Sequence, residues 1–278
     1  MTRHDIDAVV SDRPVALDSQ CGHRCLLNTK ALELAGITKE FNLHGSLIER
    51  EEDGTPNGII QETSAIVDVC GRIPGFEYSD EQYRQAMLDS QDYFASRGFT
   101  YLCDCMRTDG PYRVIKKIAE DGELKVRVDG VYNCKDATRD EDIKRAISER
   151  GAFDVDDVLK VNTVKYFMDE EMAMIEPYTD EFCESSGLPK GSGTSEGLLW
   201  DVDHYKKSME DVKKAGYNIH VHCYGDLATH ETINAMLNAQ KYDKQGNLRD
   251  IIAHIFFINE KDVKRMAQND IIASIQPQ

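Results

Sequence analysis

Long hydrophobic segments are missing from this sequence of 278 residues. A transmembrane helix needs about 20 consecutive apolar residues, and no run approaches that length. The first residues, MTRHDIDAVVSDRP, also lack the hydrophobic core of a secretory signal. We therefore expect a protein that has no membrane partner and that works in the cytoplasm.

Positive charge is in short supply. Asp and Glu number 50 against 33 Lys and Arg, which gives a formal net charge of -17. Nucleic acids and anionic membrane surfaces select for basic patches, so this balance argues against both as partners. It suits a protein that acts on a small-molecule substrate, which is the partner that we expect.

Disulfide patterns and a phosphate-binding loop are absent as well. Eight cysteines are too sparse for a disulfide scaffold and show no C-x-x-C spacing. We interpret the close pairs Cys21/Cys25 and Cys103/Cys105 as reduced thiols, with zinc binding as the less favoured alternative. No glycine-rich loop follows a first strand, as a doubly wound nucleotide-binding sheet would require.

What the sequence does contain, from residue 79 onward, is a regular alternation of two kinds of segment. Amphipathic helical segments separate six strand-like ones, which read FTYLCDC, LKVRVDGVYNC, VLKVNTVKYFMD, NIHVHCYG, DIIAHIFFI and IIASIQPQ. Such alternation predicts parallel strands joined by helical crossovers, in a (β/α) barrel or in a doubly wound sheet. Residues 1–78 lack this repeat; there, LLNTKALELAGI predicts a short helix.

Polar side chains recur near the C-terminal ends of the predicted strands, and this favours a barrel. Functional residues of barrels occupy those ends. The residues in question are Asp104, Lys165, Asp169, His222, His254 and Gln276. Six strands are two fewer than a closed eight-stranded barrel needs, so we predict a partial barrel.

Lys165, the pair His220 and His222, and His254 each have a structural and a chemical interpretation. Lys165 is either an outward-facing or Asp169-paired lysine, or a lysine that takes up carbon dioxide as a metal-binding carbamate. His220 and His222 share a strand face, so they are two ligands, one ligand with a neighbour, or two ordinary histidines. His254 is a hydrogen-bonded core histidine or a ligand.

Taken together, Lys165, His222 and His254 fall on three consecutive predicted strands. A metal site at one rim of a barrel needs that arrangement, and imidazole with carboxylate-like oxygen suits zinc and similar divalent ions. His23 lies in an N-terminal segment as a substrate contact or a surface residue. Tyr178 lies in a long loop from Glu170 to about Leu199, a kind of segment that is often functional.

An ordered series of motifs resembles the amidohydrolase superfamily and, within it, amidohydrolase family 3. The series comprises RPVALDSQCGHRCLLNTKALELAGIT, DGTPNGIIQE, TVKYFMD, EPYTD, IHVHCYGDLA and IIAHIFFINEKDVKRMAQNDIIASIQPQ. The resemblance implies a (β/α)8 barrel beside a small β-sandwich. It also implies hydrolysis of amide or other C–N bonds through a metal-activated water, with one or two divalent ions, zinc preferred.

Carried over residue by residue, the resemblance assigns roles. Lys165 matches the carboxylatable lysine of barrel strand four, and His222 and His254 match the metal histidines of strands five and six. His23 matches a histidine that approaches the substrate. We predict substrate contacts for His23, Tyr178 and His220, the last as a same-face neighbour of the ligand His222.

Two features of the family pattern do not fall within residues 1–278: the strand-one His-x-His and the strand-eight aspartate. We therefore expect an internal piece, with residues 1–78 as the insertion after barrel strand one and residues 79–278 as strands two to seven. No catalytic residue is then assigned in this chain. The parent protein would be the enzyme, and the isolated chain would bind metal weakly and show little hydrolysis.

Two further expectations concern partners and the alternative function. An incomplete barrel has open strand edges, which invite pairing with another chain, so we predict a homo-oligomer or self-association through those edges. The alternative to an enzyme is a non-catalytic binding or regulatory module on the same scaffold, of the kind labelled exoenzyme regulation in some relatives.

Overall fold

The computed structural model describes residues 1–20, 22–42, 48–61, 63–75, 78–105, 110–170, 172–186, 190–191, 197–243 and 246–276. Cys21 and most of the glycine- and serine-rich centre of the long loop lie outside these ranges. The chain divides into two units, Met1–Gln82 and Tyr83–Gln278, which are described separately.

The first unit is built on a small antiparallel sheet. Its strands are β1 (Ala16–Asp18), β2 (Arg24–Leu27), β3 (Ile48–Arg50) and β4 (Pro56–Gln61), in the order β1-β2-β4-β3. Its helices are α1 (Arg3–Asp7), α2 (Thr29–Ala35) and α3 (Thr63–Gly71). Of the helix predicted over LLNTKALELAGI, Leu26 and Leu27 lie in β2 instead, since α2 begins only after the Asn28 cap, whose Oδ1 accepts from the Ala31 N–H.

The second unit contains a six-stranded parallel sheet. Its strands are β5 (Tyr101–Asp104), β6 (Arg127–Asn133), β7 (Leu159–Phe167), β8 (Asn218–Cys223), β9 (Ile251–His254) and β10 (Ile272–Ser274). Helix α4 (Asp80–Ser96) begins just before the boundary between the units and precedes β5. The remaining helices are α5 (Tyr112–Glu120), α6 (Arg139–Ser148), α7 (Asp180–Ser186), α8 (Val202–Lys214), α9 (Asp226–Gln240) and α10 (Glu260–Gln268).

The strand order of this sheet distinguishes a barrel from a doubly wound sheet. Each strand pairs in parallel with its neighbour in sequence, from β5 to β10, without the reversal that a doubly wound sheet requires. Right-handed crossovers between sequential strands place the helices on one face. That arrangement is the one that curls into a barrel.

A contact between distant strands shows that the sheet is curled. Cys105, directly after β5, has its Sγ 3.0 Å from Nδ1 of His220 on β8, although β6 and β7 lie between the two strands. Three strand spacings in a flat sheet amount to about 14 Å. The prediction of a partial (β/α) barrel preceded by a different N-terminal segment is confirmed.

Local signals in the sequence explain where the helices begin and end. Ser79 and Gln82 form a reciprocal capping box at the start of α4: Ser79 Oγ accepts from the Gln82 N–H at 3.2 Å, and Gln82 Oε1 accepts from the Ser79 N–H at 2.8 Å. Gly98, with φ of 84°, follows its last turn. None of the helices in the described ranges has the length and apolar character needed to cross a bilayer.

The hydrophobic core of the second unit lies between the sheet and its helices. Val164, Ile219, Val221 and Ile252 contribute to it, and each is at most 1% exposed. At the N-terminal ends of the strands, Lys213 Nζ and Asp250 Oδ1 form a buried ion pair at 2.7 Å. Residues at that end of a barrel serve stability, while the opposite end is free to carry chemistry.

Candidate metal centre

Strand β7 carries Lys165 into the interior of the unit. The side chain is 3% exposed, and its Nζ lies 4.7 Å from the centre of the Phe167 ring. Lys165 is in register with Asn133 on β6 and His220 on β8. The interpretation of Lys165 as an outward-facing lysine is therefore wrong.

The carboxylate of Asp169, which the sequence suggests as a partner of Lys165, accepts hydrogen bonds from backbone N–H groups. Its carboxylate accepts the N–H groups of Tyr224 and Gly225, both at 2.8 Å, and of Ala173 at 3.1 Å. Burial raises its pKa to about 6, and the three amide donors act in the opposite direction. The carboxylate fixes the turn that follows β8.

Gly225 is required at that turn because of close backbone packing. A Cβ atom at this position would lie 1.9 Å from the carbonyl oxygen of Ala173. Asp226 then starts α9, and its Oδ1 accepts from the Ile175 N–H at 2.9 Å. The end of β8, and with it His222, is thus held from two sides.

The two histidines of β8 have different surroundings although they share a strand face. The His222 ring is 5% exposed and lies 5.0 Å from Phe167, 4.2 Å from Tyr224 and 4.4 Å from His254, measured between ring centres. His220 instead faces the Cys105 thiol. Burial, followed by the positive charges of Lys165 and His254, lowers the pKa of His220 to about 3.

His254 reaches His222 because the backbone of β9 turns at its last residue. His254 is in register with Cys223, whose side chain lies in the core, so regular alternation would send His254 the same way. Positive φ angles of 77° at His254 and 51° at Ile255 redirect the chain. Such conformations cost energy for residues other than glycine and cluster at functional sites.

The turn also corrects the extent of the fifth predicted strand segment, DIIAHIFFI, because only part of it is strand. The strand ends at His254, and the following residues leave the sheet. Gln276, after β10, has its Oε1 2.6 Å from Nδ1 of His254. Because an amide oxygen only accepts, Nδ1 donates this hydrogen bond and carries the proton. Metal-binding histidines commonly hold their other ring nitrogen in such a hydrogen bond, which fixes the orientation of the ring.

The contacts described in the second unit do not bring together the three residues that we predict to contact the substrate. Tyr178 packs against Phe182 and Phe257, with ring centres 4.8 and 5.6 Å away. His23 belongs to the first unit, between β1 and β2. Substrate roles for His23, Tyr178 and His220 stay predictions.

Sequence reasoning named the pair Cys103/Cys105, with zinc binding as the less favoured alternative, but missed the third member of its cluster. Cys103 Sγ lies 3.1 Å from Cys105 Sγ, and the donor atoms of Cys103, Cys105 and His220 all lie within 4.8 Å of one another. The signal was present as a C-x-C spacing at a strand end, which places two thiols on one face. Its partner His220 comes from a strand 115 residues away, so only folding identifies it.

The chemistry of Lys165, His222 and His254 fits a divalent ion. Two imidazoles with rings in contact suit zinc and related ions, and a buried lysine joins them as a ligand once it carries a carbamate. The side chains lie on consecutive strands β7, β8 and β9 at or near their C-terminal ends. This is the end at which barrels hold their functional residues.

Comparison with known proteins agrees with this architecture. A family model described as "Amidohydrolase family" matches residues 1–278. The putative amidohydrolase YtcJ of Bacillus subtilis is 23% identical over 288 residues, covering 100% of this chain and 50% of that protein. The exoenzymes regulatory protein AepA of Pectobacterium carotovorum is 25% identical over 278 residues, covering 96% of this chain and 56% of that protein.

A solved structure has the same fold. The crystal structure of an uncharacterized metal-dependent hydrolase from Pyrococcus furiosus superposes with a TM-score of 0.68 and 21% sequence identity. The match covers 99% of this chain and 52% of that one. The chain thus spans about half the length of the relatives that it matches.

Proposed function

The chain belongs to the Amidohydrolase family, and on that premise we propose that its residues carry part of the centre of a metal-dependent hydrolase. The substrate class is a small molecule with an amide or other C–N bond, and the attacking group is a water activated by a divalent ion, preferably zinc. The observation that carries the proposal is the pair His222 and His254, with ring centres 4.4 Å apart beside the strand that bears Lys165.

The residues have separate roles in this proposal. Lys165, His222 and His254 would hold the ion, which when bound supplies Lewis-acid activation of a water and of the scissile carbonyl. Lys165 takes part by forming a bond from Nζ to the carbon of carbon dioxide, with release of a proton from the amine. Gln276 orients His254 through its Nδ1, and Phe167 and Tyr224 shield His222 from bulk water.

The activity of residues 1–278 by themselves is a separate part of the proposal. Three donors bind an ion less firmly than the full ligand set of a hydrolase, and none of the assigned residues is a general base. We expect weak metal binding and little turnover from this chain. Its placement in the cytoplasm remains a prediction from composition.

A regulatory role is the second candidate, and the similarity to AepA favours it. In that case the scaffold binds a small molecule without hydrolysing it. The two candidate functions differ in how they respond to removal of a metal-binding side chain. A hydrolase centre then loses both its metal and its turnover, whereas a regulatory module retains its affinity for the small molecule.

The experiment is metal analysis of matched variants. The chain is stripped, loaded with Zn²⁺ in the presence of bicarbonate, desalted and analysed by elemental mass spectrometry. In a Cys103→Ser/Cys105→Ser background, which removes zinc held by these thiols, we expect Lys165→Ala and His222→Ala each to lower zinc retention by about tenfold or more. Omitting bicarbonate should lower retention in the wild type and leave Lys165→Ala unchanged, because only the wild type forms the carbamate.

Two variants control for nonspecific effects. Lys160→Ala removes a lysine near the start of the same strand, where Nζ lies 3.5 Å from Asp154, and His204→Ala removes a histidine whose side chain is 57% exposed. Both should retain zinc. Equal retention in the wild type, Lys165→Ala and His222→Ala would refute the assignment of the centre.

A further inference from the structure

A second group of metal-binding side chains lies beside this centre. It consists of the thiols of Cys103 and Cys105 at the end of β5 and the imidazole of His220 on β8. Cys103 is exposed, Cys105 is half-buried and His220 is 7% exposed, so the group lies on the open concave side of the sheet. We propose that these three residues form a separate site for a thiophilic ion, Zn²⁺ or Cu⁺.

The distances between the donor atoms support this proposal. Zinc binds sulfur at about 2.3 Å and imidazole nitrogen at about 2.0 Å, so tetrahedral donors lie roughly 3.6 to 3.8 Å apart. The observed separations are 3.1 Å between the two sulfurs and 3.0 Å between Cys105 Sγ and His220 Nδ1. An ion therefore needs the donors of each pair to part by only about half an ångström, which rotation of the Cys103 and Cys105 side chains allows.

The charges around the thiols also favour a cation bound to thiolate. The hydrogen bond with Cys105 lowers the pKa of Cys103, whereas burial and the negative charges of Asp129 and Asp104 oppose this and the positive charge of Lys165 adds to the lowering. The two carboxylates also attract a cation. The same hydrogen bond, seen from the other thiol, raises the pKa of Cys105. Cys103 is therefore the thiol of the pair that loses its proton more readily.

The donors of this site differ from those assigned to His222, because His220 contacts Cys105 whereas His222 contacts His254. His220 and His222 are two residues apart in an extended strand, which separates their Cα atoms by about 7 Å. Two thiolates and one imidazole are softer donors than lysine carbamate and two imidazoles, and soft donors select Zn²⁺ and Cu⁺. A three-donor set also leaves a fourth position open to an external ligand.

The test is titration of the reduced, metal-stripped chain with Co²⁺ alone, followed by absorption spectroscopy. Thiolate ligands give cobalt a charge-transfer absorption in the near ultraviolet that imidazole and oxygen ligands do not give. We expect this absorption in the wild type, its bleaching by Zn²⁺, and its loss in Cys103→Ser and in Cys105→Ser, with affinity for Co²⁺ at this site lowered at least about tenfold.

Two variants separate this site from its surroundings. Cys223→Ser changes a thiol on the same strand as His220 but on the core side. The Sγ of Cys223 lies 3.2 Å from Thr232 Oγ1, and a serine hydroxyl preserves this contact. His222→Ala removes the neighbouring centre. Both should keep the absorption, and circular dichroism verifies that every variant is folded.

Several outcomes would overturn the site. They are the absence of the absorption in the wild type, its persistence in Cys103→Ser and Cys105→Ser, or its loss in His222→Ala, which would mean that one ion uses both groups. Failure of the neighbouring hydrolase centre leaves the absorption unchanged, so the two proposals fail independently.

Discussion

At the scale of single residues, the carboxylate of Asp169 shows how burial changes chemistry. The side chain is 0% exposed and accepts three backbone N–H groups in the turns that follow β7 and β8. Burial raises its pKa from 3.8 to about 6 despite those donors. Its folded form therefore binds a proton more tightly than its unfolded form.

The pH dependence of stability follows from that difference. A raised folded pKa contributes stability that is fully present below about pH 4 and is lost as the pH rises through about 6. Relative to Asp169→Asn, the wild type should gain about 2 to 3 kcal/mol of unfolding free energy between pH 7 and pH 4. Urea unfolding of both proteins across this range measures it, and a difference that stays constant or shrinks at low pH would contradict the prediction.

At the scale of secondary structure, β6 contains an irregularity with a specific partner. Its register with β7 shifts between Gly130 and Val131. The Tyr112 hydroxyl from α5 accepts from the Val131 N–H at 2.7 Å and donates to the Val131 carbonyl at 2.8 Å. A Cβ at residue 130 would lie 2.3 Å from the Tyr112 ring, which explains the glycine.

Tyr112→Phe should therefore weaken the whole second unit. The change leaves a buried N–H and a buried carbonyl of Val131 without their partner, at a cost of roughly 1 to 3 kcal/mol for each group lost. We expect the free energy of unfolding to fall by about 3 kcal/mol in urea denaturation. Tyr93→Phe, at a side chain that is 55% exposed, is the control and should change stability by less than about 0.5 kcal/mol.

At the scale of the molecule, the described part of the parallel sheet ends in two edge strands, β5 and β10. Apolar side chains lie exposed at or next to them, with Tyr101 at 49%, Ile272 at 40% and Ile275 at 63%. Exposed edges with apolar neighbours are templates for pairing with another chain. We propose that copies of this chain associate through these edges.

Sedimentation velocity over a range of concentrations tests this proposal. The wild type should show a concentration-dependent shift to larger species, and Ile272→Lys with Ile275→Lys should reduce it, because charge at an edge opposes strand pairing. Ile147→Lys, at an equally exposed position on α6, should leave association unchanged. A wild type that sediments as a monomer at every concentration would disprove edge pairing.

The sequence alone was sufficient to predict most secondary-structure elements of the second unit and part of the candidate metal centre. Periodicity and end signals located all six strands and most helices of the second unit, because these are local properties of neighbouring residues. Strand-end positions also singled out Lys165, His222 and His254. The register that sets Lys165 between Asn133 and His220 could not be obtained this way, since it depends on how separate strands align.

Only the tertiary structure decided which of those side chains meet. His254 faces His222 because two residues adopt positive φ, a choice that the surrounding packing imposes on an apolar sequence. Cys103 and Cys105 acquire His220 because the sheet curls, which brings β5 and β8 into contact across two intervening strands. Local sequence patterns encode where strands begin and end, whereas the curvature of a sheet arises from all of its strands and helices packing together.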